Sequence, residues 1–139
     1  MRIPEAATLA SEAMHSQAPS HLAIELAAVR SVAYADVFDY PLRAAEVHRY
    51  LHGVSASLEL TAEALARCSA PGNTLSHRDG YFTLRGREHL IELRRRRAGY
   101  AQDLWPAALK YGRLIAGLPF VRLVAVTGSL AWDNVDAGA

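Results

Sequence analysis

The dipeptide Asp79-Gly80 constrains this chain more than any other pair of residues. Both positions tolerate positive φ, which a two-residue hairpin turn demands at its centre. Leu75 lies on one side of it, and Tyr81, Phe82 and Leu84 lie on the other. The stretch from Thr74 to Leu84 therefore predicts a β-hairpin. Just upstream, Pro71-Gly72-Asn73 is a cluster of turn formers that halts whatever precedes it.

Three helical patterns lead into that hairpin. The first begins at Ser20, whose hydroxyl is suited to cap a helix N-terminus. Leu22, Leu26, Val29 and Ala33 then recur at helical spacing. This helix should end near Asp39, because Pro41 drives Tyr40 out of the helical region. Phe38 and Tyr40 are placed to close one end of a small core. A second helix is expected from about Arg43 to His52, with Val47 and Leu51 on one face and Gly53 as its stop. Glu46 supplies half of a capping box there, and Arg43 stands where the other half wants Ser or Thr. A third helix starts at Ser57 and carries Leu58, Ala62 and Leu65 on one face. Three helices followed by a hairpin is the winged-helix order, with the third helix as reader and the hairpin as wing.

From Arg87 the helical period returns. Leu90, Leu93, Tyr100, Leu104, Ala107, Tyr111 and Leu114 step by threes and fours, and Arg97 interrupts the stripe. Pro106 removes a backbone donor inside this run, so a kink or break is expected near it. Gly117 and Pro119 end the element. Then Val121-Arg122-Leu123-Val124-Ala125-Val126-Thr127 is β-branched and nearly all apolar, the composition of a strand buried on both faces. It runs straight into Gly128-Ser129.

The predicted architecture is thus mainly α with a small β-hairpin, followed by a long helix and the first strand of an incomplete α/β fold. Residues 1–19 read as a flexible tail, 20–85 as the winged-helix-like domain, 86–117 as a connecting helix, and 118–139 as the start of a further domain. The tail is a poor signal peptide, and no apolar run reaches the ~18 residues of a membrane span, so a cytoplasmic location and no membrane partner are expected. One cysteine, Cys68, excludes an internal disulfide framework and a Cys-rich zinc site.

The net charge is +1, yet residues 87–97 hold five Arg and two Glu. Positive charge is therefore concentrated on one element. Arg94, Arg95 and Arg96, joined by Arg78 from the wing, form the candidate phosphate or nucleic-acid patch. A solvated helix face is the plainer alternative, and Arg97 on the apolar stripe is suited to pair with an acid. The third helix offers only Arg67 beside Glu59 and Glu63, which makes it a poor reader of base edges and a better protein-docking face. His48 and His52 have the spacing of a helical zinc pair, but Arg49 stands where a metalloprotease motif needs Glu. No base accompanies Cys68 to make it a nucleophile.

Gly128-Ser129 is the most informative dipeptide for chemistry. Glycine lets a backbone approach a phosphate closely, and serine adds a hydroxyl donor. Most Gly-Ser turns are nothing more than turns. Here, however, the stretch from Val121 to Ala131 resembles the first strand and Gly-Ser signature of the polymerase-β-type nucleotidyltransferase superfamily. Tyr34-Ala35-Asp36-Val37-Phe38-Asp39-Tyr40-Pro41-Leu42, Gly80-Tyr81-Phe82, Gly86-Arg87-Glu88 and Leu118-Pro119-Phe120-Val121 are similar to bacterial members with a winged-helix segment ahead of that domain. The resemblance spans roughly Leu22 to Gly138.

It implies that Gly128 and Ser129 help hold a nucleoside triphosphate. It also implies an Asp-x-Asp pair on the next strand to bind divalent metal, magnesium in the complete family protein, because two metals must bridge the attacking and leaving oxygens. That pair should fall ten or more residues after Ser129, and the sequence contains no Asp-x-Asp. Asp133 and Asp136 are spaced otherwise and lie too close to the turn. The expectation is a nucleotidyltransferase-like N-terminal part with no metal site and no catalytic residue of its own, inactive as it stands. Two rivals remain: a small winged-helix DNA-binding regulator or docking module, and a gene fragment without function. The second predicts self-association through the unpartnered strand edge beyond Gly117.

Overall fold

The computed structural model describes residues 19–137; all but the last residue of the expected tail over 1–19, and residues 138–139 of the C-terminal segment, lie outside the described residues. The chain is mainly helical. Its elements are α1 (His21–Asp36), α2 (Ala44–Arg49), α3 (Leu58–Cys68), the hairpin strands β1 (Leu75–Arg78) and β2 (Tyr81–Leu84), and α4 (Leu90–Ala116). A short 3-10 turn, Gly128–Trp132, follows. Among the described residues no helix is long and apolar enough to cross a membrane.

Local chemistry sets the boundaries. Ser20 Oγ accepts from Ala23 N at 3.2 Å, so the expected serine cap forms, and Ser57, expected only as the start of the third helix, caps it by accepting from Leu60 N at 3.2 Å. Arg43 N donates to Glu46 Oε2 at 2.7 Å, the carboxylate half of the capping box. The second helix is shorter than its apolar pattern suggested. It ends at Arg49, and His52 lies beyond it, so the two histidines do not share a helix face. Asp79 and Gly80 have φ of 53° and 79°, as the hairpin turn requires, and pair Arg78 with Tyr81.

The core gathers Ala28, Val32 and Ala35 from α1, Leu42, Val47 from α2, Leu65 from α3, and Leu75 and Phe82 from the hairpin. Leu42 bridges Phe82 through two backbone hydrogen bonds of 3.1 and 2.7 Å, which adds a third, minimal strand to the hairpin. The inward face of α1 is not the expected one. Ile24, Ala27, Ala28, Ser31, Val32 and Ala35 are buried, whereas Leu22 is 72% exposed and Leu26 49%. The helix is apolar nearly all round, so periodicity alone does not choose a face, and the alanine side permits the closest approach of α3 and β2. Thr83 is buried in β2, and its Oγ1 has no hydrogen-bond partner among the described residues.

Helix α4 starts on this body and leaves it. Arg87 joins its approach to the end of α1, pairing with Asp36 at 3.0 Å and Asp39 at 2.7 Å. Leu90, Ile91, Arg94 and Ala101 are buried, but the stripe fails further out, with Tyr111 and Leu114 exposed. The helix is continuous through Pro106 rather than broken, and the proline sits on an exposed side. The segment 121–127 departs most from expectation. It has no ladder partner, is not a strand, and is exposed beyond Val121. An apolar sequence becomes a buried strand only where a neighbour pairs its backbone and layers cover its faces, and none among the described residues does so. It lies instead along α4, where Val124 Cγ1 would come within 3.8 Å of a Cβ placed on Gly112.

Candidate functional site

The C-terminal turn folds back onto the helical body. Thr127 is extended, with φ −129° and ψ 175°, and Gly128 reverses the chain at φ 75°. That angle lies in the region glycine enters without a steric penalty. Asn134 N closes the turn on Ser129 O at 2.9 Å. The turn is then pinned from several directions. Tyr40 donates its hydroxyl to Trp132 O at 2.9 Å, across 92 positions of sequence. Trp105 Nε1 donates to Asp133 Oδ1 at 3.1 Å. Arg97 donates to Asp136 Oδ1 at 2.7 Å and to Asn134 Oδ1 at 3.2 Å. Val135, 2% exposed, supplies the apolar anchor. Gly128 and Ser129 themselves face solvent.

Docking of the turn creates a cleft of about 300 Å³ against α2. Tyr40, Glu46, Arg49, Tyr50, Trp132 and Asp133 contribute to its walls. Trp132 stands edge-on to Tyr40, with centroids 6.4 Å apart, and is tilted 40° from Tyr50 at 5.6 Å. Tyr50 is held from behind: its carbonyl lies 3.0 Å from Ser31 Oγ. The Arg94 guanidinium covers one face of Tyr40, 4.0 Å from the ring centroid. Burial holds the Tyr40 hydroxyl above its ordinary 10.0, against the pull of Arg94 and with the help of Glu46, Asp133 and Tyr50. Both carboxylates already accept hydrogen bonds, Glu46 from Arg94 and Asp133 from Trp105. Arg49 forms no ion pair among the described residues.

The arginine run does not act as one patch. Arg94 is buried, paired with Glu46 at 2.6 Å and hydrogen-bonded to Pro41 O. Arg95 reaches across to Asp79 at 3.1 Å, drawing the wing toward α4. Arg97, as its place on the stripe suggested, meets an acid. Arg96 is exposed and forms no ion pair among the described residues, and Arg78 is exposed with Asp79 4.0 Å away. Of the four residues expected to present phosphate contacts, the two that remain available are on different elements. Arg43, read from the sequence only as an ill-suited cap, has its guanidinium 4.9 Å from the Tyr81 ring centroid and donates to the Tyr81 hydroxyl at 2.7 Å.

Asp133 and Asp136 do not form a metal-binding pair. Each has its Oδ1 engaged by an N–H donor from α4, and no group of three or more His, Cys, Asp or Glu converges among the described residues. They do not fit the divalent ions that the resemblance implies. His48 Nε2 lies 3.0 Å from Ala56 O, so that ring serves the loop after α2. Burial pushes the Cys68 thiol above its ordinary 9.0, which disfavours the thiolate a nucleophile needs.

Sequence patterning singled out Gly128, Ser129 and the arginines, and it passed over the cleft. Tyr50, Arg49 and Trp132 carry no motif, and nothing in the linear order couples α2 to a turn some eighty positions later. Comparison of the chain with protein-family profiles, with curated proteins and with solved structures finds no match.

Proposed function

We propose that this chain is a winged-helix module joined to the nucleotide-holding turn of a nucleotidyltransferase-like protein, with Gly128 and Ser129 meeting the phosphates of a nucleoside triphosphate. The carrying observation is the conformation at Gly128: an apolar run ends, through an extended Thr127, in a left-handed glycine and leaves an exposed serine on a turn fixed to the body. Three helices, a hairpin and the Leu42–Phe82 bridge support the winged-helix part. A cytoplasmic location goes with this reading. No nucleotidyl transfer is assigned to the chain itself, because it has no Asp-x-Asp to hold metal. The test is an amide-resolved titration of the full chain with ATP. Shifts at Gly128 and Ser129 that vanish in Ser129→Ala support the reading, and unchanged amides at millimolar ATP remove it.

A second reading draws on α3. Its outer side presents Glu59, Ala62, Glu63 and Ala66, and Arg67 is bound to Glu25 at 2.5 Å. A duplex groove needs basic and amide side chains there. That composition favours protein docking over a DNA-binding regulator. A mobility-shift assay on duplex DNA across a salt series separates the two, since phosphate contacts give steep salt dependence.

A further inference from the structure

The cleft between α2 and the C-terminal turn has features that the Gly128-Ser129 reading does not use. Its volume of about 300 Å³ lies at the small end of the ~300–1,000 Å³ range of ligand sites. Two of its walls are aromatic and partly open: Tyr50 is 40% exposed and Trp132 50%. Their polar atoms are available as well. Neither Trp132 Nε1 nor the Tyr50 hydroxyl has a hydrogen-bond partner among the described residues. Tyr40, by contrast, is closed off, with its hydroxyl on Trp132 O and one ring face under Arg94.

Charge decides what such a cleft accepts. Glu46 accepts two hydrogen bonds from Arg94 and one from Arg43 N, so its negative charge is neutralised within the fold. Asp133 accepts from the Trp105 indole, a neutral donor, so it keeps its negative charge and, among the described residues, a free acceptor for a ring amine. Arg49 is the lining cation whose charge no carboxylate among the described residues answers. A purely cationic ligand would meet Arg49 and find Glu46 already neutralised by Arg94. An anionic group would meet Arg49, which can fork to a phosphate or carboxylate with two N–H donors. Next to it, a flat ring gains area against Trp132 and Tyr50 by stacking.

The geometry points to a binding site for a planar aromatic ring bearing one anionic group, of nucleoside-monophosphate size, with the ring against Trp132 and Tyr50 and the anion on Arg49. This site is separate from Gly128-Ser129 and does not depend on the nucleotidyltransferase reading.

The experiment is a calorimetric titration of the full chain with AMP, adenosine and inorganic phosphate, repeated on Arg49→Ala, Tyr50→Ala and Ser129→Ala. AMP is expected to saturate, and to bind more tightly than either adenosine or phosphate. Arg49→Ala, at an exposed position, should weaken AMP about tenfold and leave adenosine unchanged. Tyr50→Ala should weaken both, and its near-ultraviolet circular dichroism shows whether the fold persists. Ser129→Ala should leave AMP binding intact. Failure of AMP to saturate at millimolar concentration overturns the site, as does AMP binding indifferent to Arg49→Ala. Phosphate binding as tightly as AMP overturns the ring contact. Loss of AMP in Ser129→Ala with none in Arg49→Ala would return the anion to the Gly-Ser turn and reject the cleft.

Discussion

Arg94 and Glu46 form a two-pronged ion pair, at 2.6 and 3.0 Å, beneath the ring of Tyr40. The arginine side chain is 10% exposed and the glutamate 29%. Removing one partner of such a pair leaves the other charge desolvated, which costs on the order of 3 kcal/mol. Arg94→Ala should therefore lower unfolding stability by about that much in urea. Arg96→Ala should change it by less than about 0.5 kcal/mol. Equal effects of the two would mean that Arg94 is not a structural strut.

Thr83 offers a gain rather than a loss. Its buried hydroxyl has no partner among the described residues. Valine has nearly the same shape and no polar atom to desolvate, so Thr83→Val should stabilise by about 1 kcal/mol. A shift of the urea midpoint to lower concentration, with the slope unchanged, would contradict this.

Val135 anchors the cleft's C-terminal wall. Truncating this buried side chain removes contacts worth about 1.5–3 kcal/mol. The loss should be local: Val135→Ala is expected to speed amide exchange over 129–135 while α1 to α3 stay protected. Uniform acceleration throughout would show that the turn and the body unfold as one unit.

Glu88 gives a pH signature. Hydrogen bonds from the Ser76 hydroxyl and the local backbone, including Gly86 N, hold its carboxyl down at about 2, below the ordinary 4.5. A carboxyl depressed in the folded state favours folding fully above its unfolded value. That contribution declines as the pH falls from about 4.5 towards 2. Glu88→Gln should flatten the stability curve across this interval and leave its shape above it unaltered. A curve of wild-type steepness below pH 4.5 would show that the carboxylate is not held.

Beyond the helical end at Ala116, Leu118, Phe120 and Leu123 are 56%, 99% and 83% exposed. Such a run invites association between chains. Phe120→Asp with Leu123→Asp should reduce the apparent mass in concentration-dependent sedimentation. A mass unaffected by the double substitution at every concentration would rule this surface out.

The helices and hairpin were legible in the sequence because their signals are local. Ser20, Ser57 and Asp79-Gly80 act within three residues, and each did what its chemistry prescribes. The inward face of α1 was not legible, since Leu22 and Leu26 give as strong a period as Ile24 and Val32. The strand over 121–127 failed for another reason: composition states what a segment can become, whereas a ladder needs a second segment. The cleft was hidden most completely. It exists because Tyr40, Tyr50 and Trp132 meet, and only the closed chain brings them together.

At ~1.5 Å per residue, the 27 residues of α4 measure about 40 Å. The turn docks well short of that full length, because Asp133 is held by Trp105 and the leg from Trp105 to the helix end at Ala116 is only about 17 Å. The return from Leu118 to Thr127 could reach about 33 Å at ~3.3 Å per residue, and Val124 lies beside Gly112, so the return carries spare length. Loss of one helical turn beyond Trp105, ~5.4 Å, should therefore be absorbed by the return, with Trp132 still reaching Tyr40.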